Sequence, residues 1–203
     1  MTDDKSEWKP IPGETPIDPS GLKIKSVRSR GQLNIVEAEN IRKATLKYLG
    51  GRPTVKNSPF TYGWVFGLHR EMFGDVWDWA GKQRQTQLNL GCAAHLIPEK
   101  MAHLLGSLKS WSDEFHIALR EQAAMLHHQA VAIHPFENGN GRWSRLLANI
   151  WLRRAGEPYI AWPDSSIGQE STIRDEYLAA LKEADNGSYG ALMSLQARYF
   201  VND

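Results

Sequence analysis

The residues with the greatest chemical capacity lie within one stretch, HPFENGNGRWSR, from His134 to Arg145. An imidazole precedes a proline, two glycines flank an asparagine, and two arginines stand three positions apart. Pro135 lacks an amide donor and biases His134 away from helical angles, so a helix arriving from the N-terminal side ends there. That places the His134 ring at a helix end, projecting into a cleft. Gly139 and Gly141 permit positive backbone angles, which lets successive amides turn toward a common point. A helix starting near Arg142 adds unpaired N-terminal amides and the positive end of its dipole, both favourable to an anion. Arg142 and Arg145 occupy neighbouring positions on one helical face, within reach of that end. These parts suit a polyphosphate held beside a base. A histidine with an ordinary pKa of about 6.5 is mostly neutral at pH 7 and can accept the proton of an incoming hydroxyl, while amides and guanidiniums hold the phosphorus and its charge. Phe136, apolar among polar neighbours, anchors the loop in the core. The plain alternative is a glycine-rich turn whose histidine only caps a helix.

Such a loop needs helices on both sides. Apolar residues at 35, 36, 38, 41, 46 and 49 form a stripe that predicts a helix over 34–49, stopped by Gly50 and Gly51. Further helices are expected over 60–73, 98–115 and about 117–133, then from the motif arginines to Gly156, and over 172–184 and 189–200. The segment GDVWDWAGKQRQTQLNLGCAAHLIP carries glycine breaks and a polar alternation over 83–90, which predicts a short exposed hairpin. Residues 1–29, rich in proline, read as an irregular arm that Trp8 could pack against the rest. Residues 30–203 read as a single domain. The fold class is therefore all-α, a helical bundle with one small β-hairpin beside the loop.

Composition narrows the function classes. The chain has 24 basic and 23 acidic residues for a net charge of +1, without the basic excess of a nucleic-acid binder. Cys92 is its one cysteine, so no internal disulfide forms, which suits a reducing, cytoplasmic setting. The start MTDDKSEWKP lacks the features of a secretory signal, and no apolar run approaches the roughly 20 residues that cross a bilayer. His127 and His128 diverge by about 100° on a helix and lack HExxH spacing with any partner, so they are expected as structural histidines. The eight tryptophans are read as packing anchors.

The loop resembles the signature of the Fic (Fic/Doc) family, HPFx(D/E)GNGRxxR, and agrees with it at His134, Pro135, Phe136, Gly139, Asn140, Gly141, Arg142 and Arg145. Upstream, MFGDVWDWAGKQRQTQLNLG looks like the family's hairpin flap. Downstream, YLAALKEADNGSYGALMSL is similar to its C-terminal helices, so the likeness covers about residues 30–200. Within the family the chain is most similar to the subgroup named mobile mystery protein B, carried on mobile elements beside a small predicted DNA-binding partner. The resemblance implies a Fic-type bundle and transfer of AMP from ATP, with Mg²⁺ or Mn²⁺, to a Ser, Thr or Tyr hydroxyl of a target protein. It implies that His134 is the general base, that the Gly139–Gly141 backbone with Asn140 holds the α-phosphate region, and that Arg142 and Arg145 bind outer phosphates. The flap residues Gln87, Leu88, Asn89 and Leu90 would pair main chain to main chain with the target. Self-association into a homo-oligomer is left open.

Two departures accompany the match. The acidic position that ligates the metal is Asn138, a weaker partner for a hard dication than a carboxylate, with Glu137 next to it as a substitute ligand. The family's inhibitory pattern (S/T)xxxE(G/N) is approximated by residues 35–40, with Glu39 and Asn40 in register but Ile35 at the hydroxyl position. The resemblance implies a Glu39–Arg145 pair, against the plain reading of a solvated glutamate. Two alternatives stand beside AMP transfer: a nucleotide- or protein-binding module with chemistry weakened at Asn138, and removal of AMP with Glu39 positioning water.

Overall fold

The computed structural model describes residues 18–201, so Trp8 and most of the N-terminal arm lie outside the described residues. Helix α1 spans Arg30–Leu49 and starts earlier than expected because Ser29 caps it. The Ser29 hydroxyl accepts from the Gln32 amide at 3.4 Å, and the Gln32 side chain accepts from the Arg28 amide at 2.7 Å. Its buried face runs Leu33, Glu37, Asn40, Ala44, Tyr48. The stripe read from the sequence is only partly on the inner side: Leu49 is buried and Val36 and Ile41 pack against the core, but Ile35 is 72% and Leu46 55% exposed. The true inner face carries two polar residues, which tertiary partners satisfy.

Helix α2, Tyr62–Phe73, is capped by Thr61, and α3, Ile97–Asp113, follows a 3₁₀ turn at Ala94–Leu96 with Pro98 in its first turn. Helix α4, Leu119–Ile133, begins slightly later than expected: His116 takes φ 51° and the Ile117 amide turns back to the Trp111 carbonyl. Helix α5, Asn140–Ala155, ends at Gly156 with φ 92°. The short α6, Asp164–Ile167, was not anticipated, and α7, Thr172–Ala184, and α8, Gly190–Ala197, complete the described bundle. Helices α4 and α5 pack along each other at the centre. Helices α1 and α2 cover α5, α3 packs on α4, and α7 and α8 close over α4.

The hairpin expected over 83–90 has no β ladder. One buried guanidinium gathers the segment instead: Arg84 donates to Thr86 O at 2.7 Å, to Cys92 O beyond it and to His134 O at the end of α4. Main-chain bonds from Arg84 N to Pro135 O and from Cys92 N to Ile133 O tie both feet of this flap to the end of α4. A polar alternation along the chain does not distinguish such an excursion from a strand pair. Residues 18–29 are likewise pinned, through the Leu22–Trp77 bridge and the bond from Lys23 N to Val76 O.

The α4–α5 loop is built into the core from below. Phe136 is fully buried, stacked on His69 at 3.7 Å and edge-on to Phe66 and Trp143. The Trp143 indole donates to Val65 O at 2.9 Å. His69 Nδ1 accepts from the Gly81 amide at 3.0 Å, which requires the ring hydrogen to sit on Nε2, from where it donates to Asn138 O at 3.0 Å. Burial holds the His69 pKa down to about 3, with the nearby Arg142 cation acting in the same direction.

Phe136→Ala should cost about 3–5 kcal/mol of folding free energy, read from urea denaturation, because a rigid core cannot collapse around the lost ring. The neutral His69 makes stability depend on pH. The unfolded chain binds this proton at about pH 6.5, while the folded chain resists it down to about 3. The contribution is complete above about 6.5 and is lost as pH falls toward 3, with a slope approaching about 1.4 kcal/mol per pH unit. Urea midpoints at pH 7.5 and 4.5 should show this fall, and His69→Gln should start lower and fall less steeply.

Candidate active site

His134 closes α4 in the left-handed conformation, φ 56°, with its amide on Ala130 O at 3.3 Å and Pro135 barring further helix. Its carbonyl accepts Arg84 Nε at 2.6 Å. The ring does not project into an open cleft: the residue is 8% exposed, and the flap lies over it. Gly91, with φ 90°, sits so close that a Cβ there would come within 2.4 Å of His134 Cβ, so only glycine fits this crossing. Burial, with the Arg84 cation assisting, pushes the His134 pKa down to about 4, against a stabilising hydrogen bond to the Val131 backbone. The imidazole is neutral at pH 7.

The loop that follows is locked by its own side chains. Asn140 accepts from Phe136 N at 3.0 Å and donates to Phe136 O at 2.8 Å. Its side chain is a clamp on the loop, which leaves the main chain of this turn to face outward groups. Gly139 takes φ 79° against Phe73, where a Cβ would meet the ring at 2.6 Å. The amides of Asn140, Gly141 and Arg142 form the first turn of α5 and lie outside its ladder. Of these, Gly141 and Arg142 are partly exposed, as are Glu137 and Asn138.

The two arginines differ in their settings. Arg142 keeps a side chain 28% exposed, donates through Nη1 to Glu37 at 2.5 Å, and lies over the Phe73 ring at 4.9 Å. Arg145 is buried, its guanidinium 2.6 Å from the Asp164 carboxylate and 3.5 Å from the Tyr177 hydroxyl. Tyr177 in turn meets His127 Nε2 at 3.0 Å. Burial raises the Tyr177 pKa and drives that of His127 well down, so the network holds a neutral phenol and a neutral imidazole. Arg145 thus does not share the solvent front of Arg142, because α6 carries Asp164 over it.

The expected Glu39–Arg145 pair does not form. Glu39 points outward and pairs with Arg42 at 2.9 Å, both side chains more than half exposed. Asn40 faces inward and fixes α1 to the end of α2 through Glu71 O and the Asp75 amide, each at 3.1 Å. Asn138 is poorly suited to a metal, since its Oδ1 accepts from Gly139 N at 2.6 Å and meets Arg142 Nη2 at 3.5 Å. Glu137 extends a carboxylate to the Thr86 hydroxyl of the flap at 3.2 Å. Among the described residues no group of three or more His, Cys, Asp or Glu is arranged to hold an ion. In the flap, Gln87, Asn89 and Leu90 are exposed and Leu88 is half-buried. Sequence reasoning missed Glu37, Arg84, Asp164 and Tyr177. Only Glu37 left a signal, as an acid in register with the buried positions 33, 40 and 44.

Residues 59–152 match the Fic/DOC family. The Protein adenylyltransferase Fic of Aedes aegypti is 36% identical over 123 residues, 58% of this chain and 24% of its own length. The Protein adenylyltransferase Fic of Nematostella vectensis is 30% identical over 159 residues, 75% of this chain and 35% of its own length. The chain thus spans about a quarter to a third of these curated relatives. The crystal structure of the BepC protein of Bartonella tribocorum, a VirB-translocated effector with bound AMPPNP, shares the fold at TM-score 0.67 and 17% identity, covering 96% of each chain. Through residues 59–152, which hold the His134 loop and the helices on either side of it, the chain belongs to the Fic/DOC family.

Proposed function

We propose that this chain transfers AMP from ATP to a Ser, Thr or Tyr hydroxyl of a target protein. The observation that carries the reading is one six-residue turn, His134–Gly139, which joins a neutral imidazole at the end of α4 to the open amides and the arginine of the α5 N-terminus. The curated relatives named protein adenylyltransferases support it. Phosphates of the nucleotide bind at the first turn of α5, where amides, dipole and Arg142 favour negative charge. Because Gly91 covers His134, the flap shifts when nucleotide and target enter. The exposed main chain of Gln87–Leu90 then aligns the target segment beside the loop.

The target hydroxyl oxygen attacks the α-phosphorus, and its proton passes to the imidazole of His134. The bond from the α-phosphorus to the bridging oxygen breaks, and pyrophosphate leaves with the electron pair. The amides and Arg142 hold the oxygens on which charge accumulates. A divalent cation, Mg²⁺ or Mn²⁺, would neutralise phosphate charge. Glu137 fits it as a single carboxylate supplemented by phosphate and water oxygens, whereas the engaged amide of Asn138 does not. Arg145 contributes to the outer phosphates only when Asp164 yields it. Removal of AMP through Glu39 loses its support, since that residue faces away from Arg145 and pairs with Arg42. The balanced charge and single cysteine suit a cytoplasmic enzyme, and a small DNA-binding partner protein encoded on the same mobile element belongs to the same reading.

With labelled ATP, Mg²⁺ or Mn²⁺ and a cell lysate as the target source, the chain should label protein, and His134→Ala should lower labelling by about 10²–10⁴-fold. ATP binding without histidine-dependent transfer would instead identify a nucleotide-binding module. The free-enzyme base is depressed, so the acid limb of kcat/KM should lie nearer pH 4 than 6.5, activity falling only as His134 takes its proton.

A further inference from the structure

We infer that Glu37 is a positioning residue for Arg142, holding its guanidinium in the orientation that receives the nucleotide phosphates. The inference rests on the proposed reading of the α5 N-terminus. Glu37 lies on the inner face of α1, with a side chain 5% exposed. One carboxylate oxygen accepts the buried Trp77 indole N–H at 2.6 Å, and the other accepts Arg142 Nη1 at 2.5 Å. Phe73 lies beneath the guanidinium, and Asn138 Oδ1 stands 3.5 Å from Nη2. These contacts fix the guanidinium plane from one side and below. The Arg142 side chain remains partly exposed, so its outer edge can meet an anion.

An arginine side chain carries substantial rotamer entropy, and a residue that immobilises it beforehand removes that loss from the binding step. Glu37 suits this role better than a surface acid because it cannot swing away. The helix carrying it is fixed to α2 one turn later by Asn40, and its second oxygen is occupied by Trp77. The helix that supplies Glu37 also lies outside residues 59–152, so the matched segment would lack this support if isolated. Glutamine is a sharp probe at this position. A carboxylate offers an acceptor to each of two donors, whereas an amide offers one acceptor and turns an N–H toward the other donor.

The test is a double-mutant cycle on the full chain, read by calorimetric titration with ATP and Mg²⁺ and by the KM for ATP in the labelling assay. Glu37→Gln should weaken ATP about tenfold and raise KM more than it lowers kcat. In an Arg142→Ala background the same change should have no further effect. Should Glu37→Gln fail to show a cooperative melt, Trp77→Phe loosens the carboxylate without removing it and should give a smaller loss that also vanishes without Arg142. Unchanged affinity in the single variants, an equal loss in both backgrounds, or tighter ATP binding on loosening Glu37 would each overturn the inference and leave the proposed function standing. Failure of the wild-type chain to bind ATP would overturn both.

Discussion

The chain must leave α4 and enter α5 within six residues, inside the protein, without abandoning the main-chain groups that each helix end exposes. That requirement organises much of the structure. Pro135 forces His134 out of the helical region, and the left-handed angle turns the chain. Asn140 then satisfies both main-chain groups of Phe136, His69 takes the Asn138 carbonyl, and Arg84 takes the His134 carbonyl. Four of the loop's main-chain groups are thus met by side chains arriving from α2, from the flap and from α5 itself. The His134 imidazole and the first-turn amides of α5 are held because the groups around them are hydrogen-bonded.

Charge inside the bundle is handled by pairing. A buried guanidinium without a partner carries a large desolvation cost, and Arg84, Arg142 and Arg145 each have at least one acceptor from another element. Arg84 meets three carbonyls, Arg142 meets Glu37, and Arg145 meets Asp164 and Tyr177. The depth of each pairing separates their roles. Arg84 organises backbone, Arg142 keeps an exposed edge, and Arg145 lies under α6, paired with Asp164. The same burial keeps His69, His127 and His134 neutral. The bundle therefore tolerates several histidines at its centre without accumulating positive charge there.

Much of this was readable along the chain. Pro98 at the α3 start, the His134–Pro135 break and Gly156 act through the backbone within a turn of themselves, and those helix ends appeared where the signals stood, whereas the Ser29 cap was overlooked and α1 begins before the expected residue 34. The inner face of α1 was misjudged for a different reason. Counting apolar residues selects Ile35 and Leu46, but the buried face carries Glu37 and Asn40, whose polarity is matched by Arg142, Trp77 and the end of α2. The flap was misjudged similarly, since it is gathered by Arg84 from inside and not by a facing strand.

The sequence by itself determined the helical order, the reversal at His134 and the composition of the glycine-rich turn, because proline and glycine act on neighbouring backbone. Only the tertiary structure decided which acid meets which arginine. Glu37 rather than Glu39 reaches Arg142, and Asp164 covers Arg145, because those pairings depend on how α1 and α6 lie against α5. Side chains two positions apart on a helix point to different faces. A glutamate in the wrong register is solvated, while its neighbour enters the core and sets the site.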